Sequence, residues 1–213
     1  MRISVLCSDN EHPVFQKLKG WIVEKNLFHE VELVNRKSEL SGGDLLFLIS
    51  CHEMVNSQER LNYKKTLVIH ASALPKGKGW SPHIWQILEG KNEIMISLIE
   101  AEDKIDSGAI WKQQVLALEG HELNDEVNDK LFNIELQLMD FAVINFNKVQ
   151  PKAQQDQTST YYPKRTPEDS CIDIAKTLEE QFDLLRVVDQ ERYPAFFDYR
   201  GHRYIIKLEK HEK

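Results

Sequence analysis

Residues 45–49 read Leu-Leu-Phe-Leu-Ile, and they carry the clearest indication of the fold. A strand with one face in water alternates polar and apolar residues, whereas this stretch is apolar at every position. Such a strand is covered on both faces, as strands of parallel sheets are. Gly42 and Gly43 precede the stretch and polar residues follow it from Ser50. The sequence therefore predicts a central strand of a mostly parallel sheet.

Strands and helices alternate around this central strand. Residues 2–7 and 31–34 are short strands rich in β-branched residues, and residues 14–25 between them place apolar side chains at helical spacing. Residues 66–70 read Thr-Leu-Val-Ile-His and form a fourth strand. This alternation predicts an α/β fold, Rossmann-like and doubly wound, with a mostly parallel sheet.

Further elements follow along the chain. They are a helix from Pro82 to Gly90, strands over residues 94–99 and 109–118, a long amphipathic helix from Asn124 to Val149, a helix from Thr177 to Val188, and a β-hairpin from Ala195 to Leu208 that turns at Arg200-Gly201. Residues 151–160 lack apolar periodicity. We therefore predict a main domain over 1–150, a linker over 151–162, and a small C-terminal α+β unit over 163–213.

Composition argues against several classes of protein. Of the 213 residues, 41% are apolar, which is enough for a core. The net charge of −7 disfavours a nucleic-acid binder, because phosphate contacts need Lys and Arg. The longest apolar run is far shorter than the roughly 20 residues that span a bilayer. Polar residues from Ser8 onward come too soon for a secretory signal, and the three cysteines are widely separated. We expect a cytoplasmic protein without a membrane span.

Motifs for common cofactors are missing from the sequence. The eight histidines show no HxH, HxxxH or HExxH spacing, and the three cysteines form no CxxC pattern. No GxGxxG or P-loop motif occurs, and Gly77 and Gly79 come too late in their loop for a dinucleotide fingerprint. We therefore expect no metal ion and no nicotinamide or P-loop chemistry.

Two polar side chains follow strands of the predicted sheet. His70 ends the fourth strand, and Asp106 lies in an acidic loop after the strand over residues 94–99. Ligands of open α/β sheets bind beyond the carboxyl ends of strands, so we expect these two side chains to converge at one edge. Each residue alone also fits a structural role, as a packed histidine and as a turn carboxylate before Gly108.

A spaced pattern extends this pair from Val68 to Gln113. It reads His-Ala-Ser-Ala-Leu-Pro-Lys-Gly-Lys-Gly from His70, followed by Pro82, Gly90 and Asp-Ser-Gly from Asp106. This pattern resembles the core of the N10-formyltetrahydrofolate-dependent formyltransferases. That family carries Asn-x-His-x-Ser-x-Leu-Pro-x-x-Arg-Gly, then Pro, a helix and Gly, and finally Asp-x-Gly. The interval of 36 residues between the histidine and the aspartate also agrees with the family.

The C-terminal part narrows the resemblance. Residues 162–169 read Tyr-Pro-Lys-Arg-Thr-Pro-Glu-Asp and residues 193–196 read Tyr-Pro-Ala-Phe, which is similar to the end of sugar N-formyltransferases. This resemblance implies transfer of a formyl group from N10-formyltetrahydrofolate to the amine of a nucleotide-linked amino-deoxysugar, UDP- or dTDP-linked. The loop with Val68 resembles a subgroup associated with pseudaminic-acid routes. The resemblance also implies a homodimer, formed through the C-terminal unit.

The resemblance assigns roles to individual residues. His70 faces the formyl oxygen, and Asp106 acts as base and electrostatic partner, with no metal or covalent nucleophile. The implied folate contacts are Cys51, His52, Glu53, Met54, Leu98, Glu100, Glu102 and Asp103. The implied contacts of the amino-sugar substrate are Asn10, Lys76, Lys78, Trp80 and Ser81, and Tyr161, Tyr162 and Arg165 contact either that substrate or a partner subunit.

One position departs from the family pattern. The family's Asn, whose amide donates a hydrogen bond to the oxyanion, is Val68 here. Losing one such donor typically slows a reaction by roughly 10²–10³. Ser72, His52 or a backbone N–H could supply the bond instead, or turnover is slow, or catalysis has been lost. Lys78 in place of the family's Arg is a milder change, which removes bidentate geometry.

Three other functions are compatible with parts of this pattern. A methionyl-tRNA formyltransferase needs a basic C-terminal domain, whereas residues 163–213 carry near-balanced charge. A formyltetrahydrofolate hydrolase shares the histidine and the aspartate but uses water as the acceptor. A non-catalytic folate or nucleotide binder is an alternative that Val68 leaves open.

Overall fold

A six-stranded sheet lies at the centre of the computed structural model of the chain, which describes residues 1–155 and 158–211. In chain order the strands are β1 (Arg2–Leu6), β2 (Glu30–Val34), β3 (Gly43–Leu48), β4 (Tyr63–His70), β5 (Lys78–Gly79), β6 (Glu93–Glu100), β7 (Ile110–Ala117), β8 (Tyr161–Tyr162), β9 (Ala195–Tyr199) and β10 (His202–Ile206). The helices are α1 (Val14–Lys25), α2 (Ser57–Arg60), α3 (Pro82–Leu88), α4 (Asn124–Asn145) and α5 (Phe182–Val187).

The order of strands across this sheet is β2-β1-β3-β4-β6-β7. The first four are parallel, whereas β6 is antiparallel to β4 and β7 is antiparallel to β6. Leu45 and Phe47 of β3 face the larger core, and Leu46 faces a smaller cluster; none of the three has exposed surface. The central strand is therefore covered on both faces, and the predicted Rossmann-like, mostly parallel sheet is confirmed.

The helices lie where the sequence predicts them, but two of them, α4 and α5, are shorter than predicted. Helix α1 has the predicted limits, and α4 ends at Asn145, four residues before the predicted end. Helix α5 begins only at Phe182, although helical spacing begins at Thr177. The Gln181 side chain bonds the backbone N–H and C=O of Asp173, which holds the preceding residues in turns instead of a helix. None of the helices within the described residues has the length and apolar content to cross a membrane.

The C-terminal residues form the predicted hairpin beside a small core. Strands β9 and β10 pair antiparallel, and Arg200 and Gly201 make the turn with positive φ angles of 50° and 83°. Helix α5 contacts α3 and α4. The fully buried Arg186 of α5 donates to Asp183 at 2.6 Å and to Asn92 at 3.3 Å, which ties this region to the chain after α3.

The segment predicted as a linker is attached to the sheet where the structure describes it. Lys152 and Ile110 exchange backbone hydrogen bonds of 2.7 and 2.9 Å. Farther along, Tyr161 and Tyr162 pair with β5 as strand β8. Residues 156–157 of the predicted linker and 212–213 of the predicted C-terminal unit lie outside the described residues. The three domain limits stay a prediction.

A buried carboxylate fixes the turn that leads into helix α4. Glu122 has 1% of its surface exposed and accepts backbone N–H bonds from Glu119 and Gly120 at 2.9–3.1 Å. Lys130 donates to it at 2.5 Å. Burial alone raises the pKa of such a group, but the Lys130 and backbone donors outweigh it and lower the pKa of Glu122 from 4.5 to about 2.

We expect Glu122→Gln to reduce the free energy of unfolding by about 3 kcal/mol at pH 7, because the charged form is the one that the fold stabilises. A carboxylate with a lowered pKa stabilises the fold above its unfolded pKa and loses this contribution as the pH falls toward the folded pKa. The difference between wild type and variant should therefore shrink between pH 4.5 and 2. Urea unfolding at several pH values measures it. Glu119→Gln, at an exposed side chain of the same turn, should change stability little; a loss equal to that of Glu122→Gln would contradict the assignment.

Candidate active site

His70 and Asp106 lie side by side in the structure. Their side chains are 8% exposed, and 3.4 Å separates His70 Nδ1 from Asp106 Oδ1. His70 Nε2 is 2.8 Å from the carbonyl oxygen of Gly77. A carbonyl only accepts hydrogen bonds, so Nε2 carries a hydrogen and Nδ1 is the nitrogen left to exchange a proton. The nitrogen that faces the carboxylate is therefore the reactive one.

The two side chains converge for a different reason than the sequence suggested. Strand β6 is antiparallel to β4, and its last residue, Glu100, pairs with Leu67, three positions before His70. The carboxyl ends of these strands therefore point in opposite directions. The loop over residues 101–109 returns toward His70, so that Asp106 reaches it from the β6–β7 hairpin. The prediction that the two strands end at the same edge of the sheet was wrong, because β6 is antiparallel to β4. The two side chains nevertheless meet.

Backbone geometry in that hairpin loop positions Asp106. Asp106 has a φ of 54°, in the left-handed region that Asp and Asn tolerate better than most residues. Two residues on, a Cβ on Gly108 would lie 1.8 Å from the carbonyl oxygen of Glu100, so only glycine fits. Gln154 donates its amide to the carbonyl oxygens of Asp106 and Gly108 at 3.0 Å. The loop is held from both sides.

The glycine-rich loop after β4 fixes both members of the pair. Gly77 has a φ of 72° and presents its carbonyl to His70, and Gly79 has a φ of 99° and donates its N–H to Asp106 Oδ2 at 3.0 Å. A Cβ at Gly79 would lie 2.3 Å from the carbonyl oxygen of Tyr162. Glycine is needed here both for the backbone angle and for the close approach.

A cavity of about 650 Å³ opens in front of the pair. Ten residues predicted for the site line it: His70, Asp106, Cys51, His52, Glu53, Met54, Glu100, Glu102, Trp80 and Ser81. The His52 and Trp80 rings lie 5.5 Å apart there, and Lys164 lies 4.8 Å from the centre of the Trp80 ring. Tyr161 and Arg165 also line the cavity. The structure therefore brings most of the predicted residues into one space.

Five predicted contacts lie outside the lining of this cavity: Asn10, Lys76, Lys78, Leu98 and Asp103. Leu98 has no exposed surface, because its side chain points into the core beneath β6. Asp103 pairs with Arg60 at 2.6 Å and is 76% exposed. The side chains of Asn10 and Lys76 are exposed, and the backbone of Lys78 pairs with Tyr161. A substrate that binds in this cavity therefore does not contact these five residues through the cavity lining.

Other cavity residues come from parts of the chain that no motif connects with the site. They are Asp9, His83, Asn128, Phe132, Glu135, Asp189 and Arg192, and His12, from the same loop as the predicted contact Asn10, lines the cavity with them. Burial, with His12 and His70 nearby, lowers the pKa of His83 to about 4, and burial together with Arg192 lowers the pKa of His12 below its usual value. Both imidazoles are therefore neutral near pH 7. No sequence motif marks these residues, since they are distant along the chain and meet only in the fold.

Val68 lies in the cavity wall, two residues before His70. Of the three groups named as substitutes for the missing amide, Ser72 has a buried hydroxyl without a partner but does not line the cavity. His52 does line it. Burial raises the pKa of the neighbouring Cys51 thiol, so that thiol is neutral near pH 7. Of the two side chains named as substitute donors, only His52 lines the cavity. Within residues 1–155 and 158–211, no group of three or more His, Cys, Asp or Glu side chains is arranged to hold a metal ion.

Comparisons with known proteins match this chain to one family. A family model described as formyl transferase matches residues 5–143. The chain is 28% identical over 140 residues to the bifunctional polymyxin resistance protein ArnA of Wigglesworthia glossinidia brevipalpis, a match that covers 65% of this chain and 21% of that protein. The chain thus spans about a fifth of the length of this curated relative.

Solved structures share the fold at low sequence identity. Methionyl-tRNA formyltransferase from Clostridium thermocellum has a TM-score of 0.81 at 22% identity, over 95% of this chain and 90% of that chain. A sugar N-formyltransferase from Shewanella has a TM-score of 0.74 at 17% identity, over 100% of this chain and 99% of that chain. At these identities the likeness shows a common fold and leaves the substrate open.

Proposed function

The chain belongs to the formyl transferase family, and from this premise we propose that it transfers a formyl group from N10-formyltetrahydrofolate to the amine of a nucleotide-linked amino-deoxysugar. The observation that carries the proposal is the buried pair of His70 and Asp106, which meets at 3.4 Å in the wall of a 650 Å³ cavity. A UDP-linked sugar of the pseudaminic-acid type is the acceptor that the loop around Val68 suggests.

The pair has the chemistry that formyl transfer requires. An attacking amine must lose a proton, and the formyl oxygen gains negative charge as the new bond forms. While charged, Asp106 favours a hydrogen on His70 Nδ1, and this N–H donates to the formyl oxygen as that oxygen becomes negative, while Gly77 holds Nε2. Asp106 then accepts the proton of the attacking amine. The proton passes through His70 to N10 of the folate as the bond between the formyl carbon and N10 breaks and tetrahydrofolate leaves. Because both side chains are shielded from water, these charges act at short range in a region of low polarity.

The loop after β3 and the loop after β6 fit a folate. Leu48, Met54 and Ile99 supply apolar wall, and polar residues of these loops, among them His52 and Glu102, line the same space. An aromatic ring with a polar edge is bound by this combination of apolar wall and a few polar groups. The formyl group that the folate carries is the one-carbon unit that His70 and Asp106 act on.

Cations near Trp80 are suited to the diphosphate of the sugar nucleotide. Lys164 lies over the Trp80 ring, and Arg165 lines the cavity with its Nε buried and unpartnered among the described residues. Arg165 donates from Nη2 to the backbone carbonyl of Asp169 at 2.9 Å and makes no ion pair there. Its Nε–H, which has no partner among the described residues, is available to a phosphate oxygen. We propose Lys164 and Arg165 as the diphosphate contacts, in place of Lys76 and Lys78, which the resemblance implied as contacts of the amino-sugar substrate and which lie outside the cavity lining.

Release of tetrahydrofolate tests the proposal and separates it from the other functions. The purified chain is mixed with N10-formyltetrahydrofolate and, in separate reactions, with no acceptor, with methionyl-tRNA, or with one of a panel of UDP-, dTDP-, GDP- and CMP-linked amino-deoxysugars, and release is followed by absorbance. We expect release only with a nucleotide aminosugar present. Release without any sugar indicates a hydrolase, release with methionyl-tRNA indicates the tRNA enzyme, and retention of the folate in all mixtures indicates a binding protein. Any of these three results contradicts the proposal.

The predicted homodimer and the cytoplasmic location stay predictions. Light scattering of the purified protein measures the first. The C-terminal hairpin exposes Tyr199, Tyr204 and Ile205, which is a surface on which a second subunit could pack.

A further inference from the structure

One region of the cavity has no role in the chemistry described above. Helix α4, the loop after β1 and the segment after α5 form its walls, and it contains His12, Asn128, Leu131, Phe132, Glu135 and Val187. We call this region the α4 lobe. His83, which also lines the cavity, is close enough to both His12 and His70 to interact with each electrostatically. The lobe is therefore connected to the reacting pair.

Glu135 is the unusual group of this lobe. Its Oε2 atom is buried and has no hydrogen-bond partner in the described part of the chain. Burial raises the pKa of this carboxyl to about 8, so it is mostly protonated at pH 7. A protonated carboxyl offers one O–H donor and one C=O acceptor. A buried polar group without a partner destabilises a fold, so a ligand that completes these bonds gains affinity.

The other walls of the α4 lobe suit an uncharged ring. Leu131, Phe132 and Val187 are apolar, and the His12 imidazole packs 5.8 Å from the Phe132 ring. The pKa of His12 is lowered by burial and by Arg192, so this imidazole is neutral near pH 7. Apolar walls with a few hydrogen-bonding groups are typical of sites for neutral polar ligands.

The charges at the edge of the lobe argue against a phosphate there. Arg192 pairs with Asp189 at 2.7 Å and approaches Asp9 at 3.9 Å, so two carboxylates already neutralise its charge. A phosphate in the lobe would meet these carboxylates without a free cation among the described lining residues. Lys164 and Arg165, near Trp80, offer the better place for the diphosphate.

We propose that the α4 lobe binds the sugar ring of the acceptor and that Glu135 is a specificity-determining residue, which donates to one ring hydroxyl and accepts from another. This inference rests on the proposed function, because it assigns part of the same cavity to the sugar. It places the sugar ring beside α4 and the diphosphate beside Trp80, which orients the acceptor across the reacting pair.

Two substitutions test this assignment. Glu135→Leu removes both hydrogen bonds at similar volume, and Glu135→Gln keeps an N–H donor and a C=O acceptor. By calorimetry, we expect Glu135→Leu to weaken binding of the nucleotide-linked aminosugar at least 10-fold, and Glu135→Gln to change it by less than about threefold. Binding of the nucleoside diphosphate without a sugar should stay unchanged in both variants. Equal losses for both ligands, or no loss for either, would overturn the assignment.

Two further readouts exclude a merely structural role. Glu135→Leu should raise the melting temperature, because it removes an unpartnered buried carboxyl, while it weakens sugar binding. Wild-type affinity for the sugar should fall above pH 8, where Glu135 loses its O–H donor, and the fall should be smaller in Glu135→Gln. The titratable groups that face Glu135 or share its lobe are Cys7, Asp9, His12, His83, Asp189 and Arg192, and they are the same in both proteins.

Formyl transfer by the wild type is measured separately from binding. If the wild type binds the aminosugar and transfers no formyl group, the proposed function fails. The comparison of Glu135→Leu with Glu135→Gln then still tests whether the α4 lobe binds the sugar ring. If the wild type transfers the formyl group and Glu135→Leu keeps normal sugar affinity, the assignment of the lobe fails alone.

Discussion

Replacing His70 by alanine is expected to lower kcat at least about 10³-fold, with the Kd for N10-formyltetrahydrofolate within about threefold of the wild-type value. The imidazole supplies the hydrogen bond to the developing oxyanion, and one such donor contributes roughly 10²–10³ in rate. Its exchange of a proton with Asp106 adds a further factor, since general acid–base groups contribute roughly 10²–10⁴. Folate binding survives because the folate contacts come from the loops after β3 and β6.

The measurement is single-turnover transfer with the best acceptor of the nucleotide-aminosugar panel, together with folate binding by fluorescence. His121→Ala is the matched control, because His121 is 59% exposed and lies outside the cavity. The control should keep wild-type turnover. If His70→Ala keeps more than a tenth of wild-type activity, His70 is not the group that stabilises the oxyanion.

The reacting pair could be predicted because both residues belong to the spaced pattern from Val68 to Gln113, which resembles a family core. His70 ends a buried strand, and Asp106 precedes a glycine that a close backbone contact requires at position 108. The sequence did not show that β6 reverses direction, because an apolar strand has the same pattern in a parallel and an antiparallel position. The two side chains therefore meet as predicted, although the prediction assumed that β4 and β6 end at the same edge of the sheet and the two strands are antiparallel.

The substrate contacts were harder to predict because they depend on which way each side chain points. Leu98 and Ile99 are neighbours on β6, and Ile99 lines the cavity while Leu98 lies in the core. Successive residues of a strand face opposite sides of the sheet, so a loop or strand position alone does not say which one meets a ligand. The backbone of Lys78 is used in strand pairing with Tyr161. Residues such as Glu135 carried no motif at all, since only the packing of α4 brings them to the cavity.

The second large effect is expected for Asp106→Asn, which should lower kcat about 10³-fold while leaving the fold intact. The amide oxygen of Asn can still accept the N–H of Gly79, a bond of 3.0 Å in the wild type. Asn also tolerates the left-handed backbone conformation, where φ is 54°. What the substitution removes is the negative charge beside His70 and the ability to accept the proton of the attacking amine. The variant thus changes the chemistry at nearly constant geometry.

Asp106→Ala provides the comparison that separates charge from position. Alanine removes the charge as well, but it also removes the bond to Gly79 and fits the left-handed conformation less well, at a cost of about 1 kcal/mol. We expect both variants to lose similar turnover, and only Asp106→Ala to lose stability in thermal melting. If Asp106→Asn instead keeps more than a tenth of wild-type kcat while Asp106→Ala is inactive, Asp106 acts by positioning the glycine-rich loop. In that case a different group must take the proton from the amine.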